Sequence, residues 1–413
     1  MGAVDLERLK HGTIDIISEA ELATKLEGAR RERRPLRVKL GADPSAPDLH
    51  LGHTVVLSKL RDFQELGHTV IFLIGDFTAR IGDPSGRSET RRPLDTDEIR
   101  RNAATYTDQV FRILDRDRTE VRFNSEWMTT MLADDLVRLC GHYTVARILE
   151  RDDFHKRLRD GRPIGIHEFL YPLIQGYDSV ALRADVEIGG TDQRFNLLVG
   201  REIQKAYGVP AQVVLTMPLL EGTDGVQKMS KSLANAVGIT ESPDEIFGKI
   251  MSISDDLMLR WYDVLEPGDA AAVREQLASG RLHPREAKAN LGELQVRKFH
   301  TAAAAAGARR RFDQRFAEGE LPSEFVQVWE SEETAPAELS LPSLLTRIGL
   351  TKSNSEARRL ISQGAVRVEG LVLKSERYRT DTVVGEASGR VSFLIEVGKR
   401  RACRVSFGKR QGT

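Results

Sequence analysis

Two short stretches of this 413-residue chain hold side chains whose types and spacing could act together on an anion. The first is HLGH, residues 50 to 53. Taken singly, His50 and His53 are ordinarily satisfied structural side chains, but residues three apart at the start of a helix share one face. Gly52 between them carries no Cβ, so a flat base or a ribose can approach closely. Two imidazoles at a helix N-terminus can donate to phosphate oxygens, where unpaired backbone N–H groups also favour negative charge. The second stretch is KMSKS, Lys228, Met229, Ser230, Lys231 and Ser232. A charge cluster in a loop is usually only solvated. Here the loop follows an apolar strand, so two flexible ammonium groups can close over a triphosphate and gather charge developing on a leaving pyrophosphate. The spacing is not that of a Walker A loop, and GDPSG at 82 to 86 does not match the dinucleotide fingerprint.

The elements around these stretches read as an α/β protein. Residues 12 to 30 predict an amphipathic helix closing near Gly28, and Leu36 to Leu40 a short strand. A turn-rich loop, GADPSAPDLHLGH, leads into a helix with Val55, Val56, Leu60, Phe63 and Leu66 on one face, ended by Gly67. HTVIFLIGD follows as a nearly unbroken apolar run, the pattern of a central parallel strand covered on both faces. Strand, helix and strand of these lengths form a βαβ unit, which places ligands beyond the carboxyl ends of its strands. Residues 95 to 160 predict a charged, mostly helical insertion, 167 to 180 a helix, ADVEIGGTDQRFN a strand entering a turn, and 213 to 220 another buried strand. Residues 244 to 317 predict helix, helped by the alanine run 302 to 306. The acidic, proline-containing stretch 318 to 340 predicts a linker with some structure around Phe325 to Trp329. Two short helices and small-sheet strands then close the chain.

Composition, 40% apolar and 30% charged, is that of a globular protein. Neither a signal-like n-region with an apolar stretch nor a run of 18 apolar residues is present, so a cytoplasmic location without membrane spanning is expected. Cys140 and Cys403 form no C-x-x-C spacing and predict neither a disulfide framework nor a zinc cage. The net charge of zero hides a segregation: residues 341 to 413 hold 15 Lys/Arg against 6 Asp/Glu. A basic end of this kind suits a polyanion such as nucleic acid.

HLGH and KMSKS together resemble the paired signatures of class I aminoacyl-tRNA synthetases, in the order and separation of the short tyrosine and tryptophan branch. Over essentially its whole length the chain resembles bacterial tyrosyl-tRNA synthetases, on GADPSAPDLHLGH, IGDPSGRS, YPLIQGYDSV, VEIGGTDQRFN and QKMSKS. SNSEARRLISQGAVRVEG resembles a small RNA-binding domain shared with a ribosomal protein and pseudouridine synthases.

The resemblance implies a Rossmann-like parallel-sheet catalytic domain over 1 to 240 with the insertion at about 95 to 160. A helical domain over 241 to 325, a linker over 326 to 340 and a small basic α+β tRNA-binding domain over 341 to 413 complete the expectation. It implies ATP-dependent activation of L-tyrosine and transfer to the 3′ end of tRNA(Tyr), by a homodimer joined near residues 125 to 160. ATP arrives with Mg²⁺, and no structural metal is expected. His50, His53, Lys228 and Lys231 carry over as catalytic groups. Asp43, Gly52, Asp192, Met229 and Ser230 join them around ATP, with Asp192 on the ribose. Asp83, Tyr171, Gln175, Asp178 and Gln193 carry over as the tyrosine pocket. Lys39 stands where the better-known subgroup has a phenol-contacting tyrosine, as in a second bacterial subgroup, and is counted with the pocket. Two rival readings are a tryptophan-activating enzyme, disfavoured by YPLIQGYD, and a non-catalytic RNA-binding or splicing protein, disfavoured by the intact histidines and lysines.

Overall fold

The computed structural model describes residues 2–44, 47–85, 95–317, 326–380, 390–398 and 401–408. The chain divides into two compact units, Met1–Arg309 and Arg310–Thr413. Ser45 and Ala46 of GADPSAPDLHLGH, Gly86, Arg87 and Ser88 of IGDPSGRS, and Phe325 lie outside the described residues.

The first unit opens with α1 (Gly2–Lys10), β1 (Asp15–Ile17), α2 (Glu19–Glu32), β2 (Arg37–Ala42), α3 (Leu51–Glu65) and β3 (Thr69–Ile74). It continues through α4 (Thr96–Val110), β4 (Thr119–Phe123), α5 (Ser125–Met128), α6 (Ala133–Gly141), α7 (Val145–Ile148), α8 (Asp152–Arg159) and α9 (Ile166–Leu182). Then come β5 (Val186–Gly190), α10 (Arg194–Ala206) and β6 (Val213–Met217). Helices α11 (Pro243–Met251), α12 (Asp255–Leu265), α13 (Pro267–Ala278), α14 (Pro284–Phe299) and α15 (Ala302–Ala317) follow, and the boundary between the units falls in α15.

The sheet has the order β1-β6-β5-β2-β3-β4. All its pairings are parallel except that of β1 with β6. Val38, Val70, Phe72, Val186, Ile188, Val213 and Leu215 are buried, as expected for strands covered on both faces. Burying each such side chain contributes about 1.5–3 kcal/mol. From β2 the chain steps outward through β3 to β4, then returns to β5 on the other side of β2. That reversal is the topological switch point at which open parallel sheets take ligands, beyond the carboxyl ends of the strands.

Three expectations need correction. The helix of residues 12 to 30 is instead β1 followed by α2, because Ile14, Ile16 and Ile17 make a β-branched run that pairs with β6 and Ser18 starts the helix with a capping box. The helix runs past Gly28 to Glu32, ending where Arg33 takes φ +51. Residues 95 to 160 are not wholly helical either: Thr119–Phe123 forms edge strand β4, whose charged residues concealed it. The stretch read as a linker, 326 to 340, holds β7 (Val326–Thr334) and β8 (Glu338–Ser340), with β7 pairing parallel to a strand about 75 residues on. Its acidic composition is that of a sheet edge.

The second unit adds α16 (Leu341–Arg347), α17 (Asn354–Ser362), β9 (Val366–Val368), β10 (Leu371–Val372), β11 (Arg377–Arg379), β12 (Val391–Val397) and β13 (Arg401–Gly408). Its main sheet has the order β10-β9-β12-β13-β7, and β8 pairs with β11. Leu341, Leu345, Ile361, Val366, Phe393, Ile395 and Val405 pack its core, with Cys403 among them. Lys352, Arg358, Arg359, Arg367, Lys374 and Arg404 stand exposed on its surface. Among the described residues no helix is long and apolar enough to cross a membrane.

Candidate active site

The two motif stretches meet. His50 is the N-cap of α3, and Leu51 N–H donates to Val237 O at 2.9 Å while Ile239 N–H donates to Leu49 O at 3.1 Å. The segment after KMSKS is thereby zipped along the start of α3. A Cβ on residue 52 would lie 3.0 Å from the His50 ring, so Gly52 leaves that ring room to fold over the helix start, while the buried Met229 would stand at ordinary contact distance, 3.7 Å. Asn235, also buried, shapes the loop: its carbonyl accepts from Ser230 N–H at 2.7 Å and its amide donates to Asp224 at 2.9 Å.

The Nδ1 of His50 accepts from Gly52 N–H, and the Nδ1 of His53 accepts from His50 N–H, both at 3.2 Å. Burial, then repulsion from His53, Lys228 and Lys231, pushes the His50 pKa down to about 2. Burial and Lys228 lower His53 to about 4. Both rings are therefore neutral near pH 7, and a neutral ring that accepts at Nδ1 carries its proton on Nε2. Each has one N–H to offer an anion. Lys228 pairs with Asp192 and Lys231 with Asp48.

A second group of side chains lies along α9, where Tyr171, Gln175 and Asp178 follow helical spacing on one face. Asp43, just past β2, accepts from Tyr171 Oη at 2.9 Å and from Thr78 Oγ1 at 2.7 Å. Gly75 is forced by this contact, since a Cβ there would sit 2.1 Å from Asp43 Oδ1. Gln175 Oε1 is buried with no hydrogen-bond partner among the described residues. Asp83 accepts from Gln193 Nε2 at 2.9 Å and from Ser85 N–H at 2.8 Å.

Asp178 is buried and accepts from Trp127 Nε1 at 2.8 Å and Asn124 Nδ2 at 3.4 Å. Burial raises its pKa to about 7 against the opposing pull of Lys39, Trp127 and Asn124. Lys39 reaches this group only at its backbone edge, donating to Gln175 O at 3.5 Å. Its fully buried ammonium meets Glu187 at 2.8 Å and donates to Ser179 Oγ at 2.7 Å, because a charge taken out of water must find partners. Counted with the pocket by its position in the sequence, Lys39 lies under it in the sheet, with Glu187 as its charge partner.

Sequence reasoning missed Asp48, Thr78, Asn124 and Trp127, and the Asn102 and Gln109 side chains of α4. Asn102 donates to Pro44 O, and Gln109 clamps Leu49 N–H and Pro47 O. The available signal was position: Thr78, Asn124 and Trp127 follow the carboxyl ends of β3 and β4, where this fold gathers its ligand groups. Among the described residues no group of three or more His, Cys, Asp or Glu is arranged to hold a metal.

Residues 31–317 match the family model of tRNA synthetases class I (W and Y), and residues 340–382 match the S4 domain. The chain is 53% identical to a tyrosine–tRNA ligase of Geobacter sulfurreducens and 54% identical to one of Coxiella burnetii, each over 97% of this chain. Those alignments cover 98% and 97% of the respective relatives. Among solved structures, the tyrosyl-tRNA synthetase of Archaeoglobus fulgidus superposes with a TM-score of 0.61 at 23% identity, covering 75% of this chain and 99% of that one. That likeness fixes the fold, and the sequence relatives fix the family: the chain belongs to the tyrosine–tRNA ligases of the class I tRNA synthetases.

Proposed function

We propose that this chain joins L-tyrosine to the 3′ end of tRNA(Tyr) in two steps, through a tyrosyl-adenylate made from ATP. One observation carries the reading: the imidazoles of HLGH and the ammonium groups of KMSKS converge at the sheet's switch point, on the same strand rim as a pocket helix with a buried carboxylate. The tyrosine carboxylate is already a nucleophile, so no general base is needed at the α-phosphorus. The protein must instead align two anions and spread charge away from the bridging oxygen. His50 and His53 donate as neutral imidazoles. Lys228 and Lys231 exchange Asp192 and Asp48 for phosphate oxygens, leaving Asp192 to the ribose. Mg²⁺ enters as the counter-ion of ATP.

In the tyrosine pocket the phenol donates to Asp178, and the ammonium lies among Asp83, Tyr171 and Gln175, whose orphaned Oε1 suits a cation. Phenylalanine brings no donor to Asp178, leaving this buried carboxylate with Trp127 and Asn124 alone, a loss of about 1–3 kcal/mol or more. In the transfer step a terminal ribose hydroxyl attacks the mixed anhydride, and the phosphate of the departing AMP takes the proton. The exposed basic residues of the second unit hold tRNA phosphates. The apolar side chains Leu132, Val137, Val145 and Leu158, exposed on and between α6 and α8, supply the face of a homodimer. The chain works in the cytoplasm.

ATP–pyrophosphate exchange with the purified chain and each of the twenty amino acids tests the reading. Exchange with tyrosine alone is expected; exchange with tryptophan instead, or with none, would remove it.

A further inference from the structure

Behind the pocket lies a buried cation that the mechanism above does not use. Arg151, the N-cap of α8, is almost fully buried and grips Asp153 through two contacts, Nε to Oδ1 at 2.7 Å and Nη2 to Oδ2 at 2.8 Å. Its Nη1 donates to Asn196 Oδ1 at 3.2 Å, and its Nη2 stands 3.9 Å from Asp83 Oδ1. Phe154 and Phe195 lie within 5.0 and 5.9 Å of the guanidinium carbon, which fixes the plane of the fork.

A guanidinium only donates and keeps its proton at any working pH. The Asn196 atom facing it must therefore be the carbonyl oxygen, which turns the Asn196 amide nitrogen toward Gln193 Oε1 at 3.1 Å and Ser85 Oγ at 3.3 Å. With its oxygen so occupied, Gln193 can only present its amide nitrogen to Asp83 Oδ2, at 2.9 Å. Each link has one polarity, pinned at one end by Arg151, which only donates, and at the other by Asp83, which only accepts. Asp153 meanwhile offsets the charge of Arg151, so the negative charge of Asp83 stays available to a ligand.

We infer that Arg151, acting through Asn196, is a positioning residue that anchors the far end of the Gln193 amide and thereby holds Asp83 ready for the ammonium of the amino acid. The inference rests on the reading of Asp83 as part of the amino end of the pocket. Without the donor-only fork, Asn196 can turn its oxygen toward Gln193 Oε1, and Gln193, which must still offer its amide nitrogen to the acceptor-only Asp83, loses the donor that anchors its other end and is no longer held in place. The phenol end, built on Asp178, Trp127 and Asn124, shares none of these side chains.

The test compares two ligands on the full chain by equilibrium binding: L-tyrosine, and 3-(4-hydroxyphenyl)propionate, which lacks only the amino group. Asn196→Asp keeps an acceptor for Arg151 but cannot donate to Gln193, so tyrosine affinity should fall about tenfold while the des-amino compound changes less than about twofold. Arg151→Met combined with Asp153→Asn removes the fork without stranding a carboxylate and should give the same pattern. Asp83→Asn serves as the reference. If Asp83→Asn weakens tyrosine selectively but the other variants leave both ligands alone, or weaken both equally, the relay is wrong. If Asp83→Asn shows no selectivity itself, the assignment of the amino end fails and takes the relay with it.

Discussion

At the scale of single residues, the expected behaviour follows from which charges have been taken out of water. Asp178 has a folded pKa of about 7 against an ordinary 3.8, so above pH 4 the unfolded chain releases a proton that the folded one keeps. The native state carries a penalty that grows between pH 4 and 7 and is constant beyond. Asp178→Asn removes it and should unfold a few degrees higher at pH 8 in calorimetry, the gap closing as pH falls toward 4. The same variant should lose about ten- to hundredfold of its preference for tyrosine over phenylalanine in pyrophosphate exchange. In the parent chain that preference should rise as pH climbs from 6 to 8, because the ionised carboxylate is the better acceptor. Lys231→Ala should slow adenylate formation about a hundredfold while sparing tyrosine affinity in equilibrium dialysis. A fall confined to tyrosine affinity would contradict its placement on the pyrophosphate.

At the scale of elements, the site depends on how loops are pinned to the strand rim. Gln109 on α4 satisfies Leu49 N–H and Pro47 O in the loop that ends at His50. Gln109→Leu should strand both groups, cost about 1–3 kcal/mol of stability in urea unfolding, and lower exchange with tyrosine affinity less affected. This scale is also where sequence reasoning divides. The strands β2, β3, β5 and β6 and the helices α3, α9 and α10 are legible because each carries an unbroken apolar run or one apolar face. HLGH, KMSKS and YPLIQGYD are legible because their residue types are dense and close together. Strand β4, with Glu120 and Arg122, and strand β7, with its run of glutamates, are not: edge strands bury too little for the pattern to register, and their identity comes from partners distant in sequence. Asp48, Asn124 and Asn196 were invisible for the same reason. A polar side chain acquires its meaning from the group it faces, and Lys39 shows the converse, a residue noticed in the sequence whose partner, Glu187, only the fold could supply.

At the scale of the whole molecule, the chain separates chemistry from grip. On the proposed function adenylate formation should need only the first unit, whereas the S4-like module and its surplus of positive charge belong to the second. Removing residues 318 to 413 should leave tyrosine-dependent exchange within about twofold while aminoacylation of tRNA falls by a factor of ten or more and loses its steep salt dependence. A cut at residue 341 is the poorer experiment, since it parts β7 from β13, its partner in the sheet. Within the first unit, working groups are drawn from the ends of five parallel strands whose order in space is not their order along the chain. No fragment of that unit can therefore be competent alone, and a growing chain acquires its chemistry abruptly, when the last of those strands and the lysine-bearing loop behind it have docked.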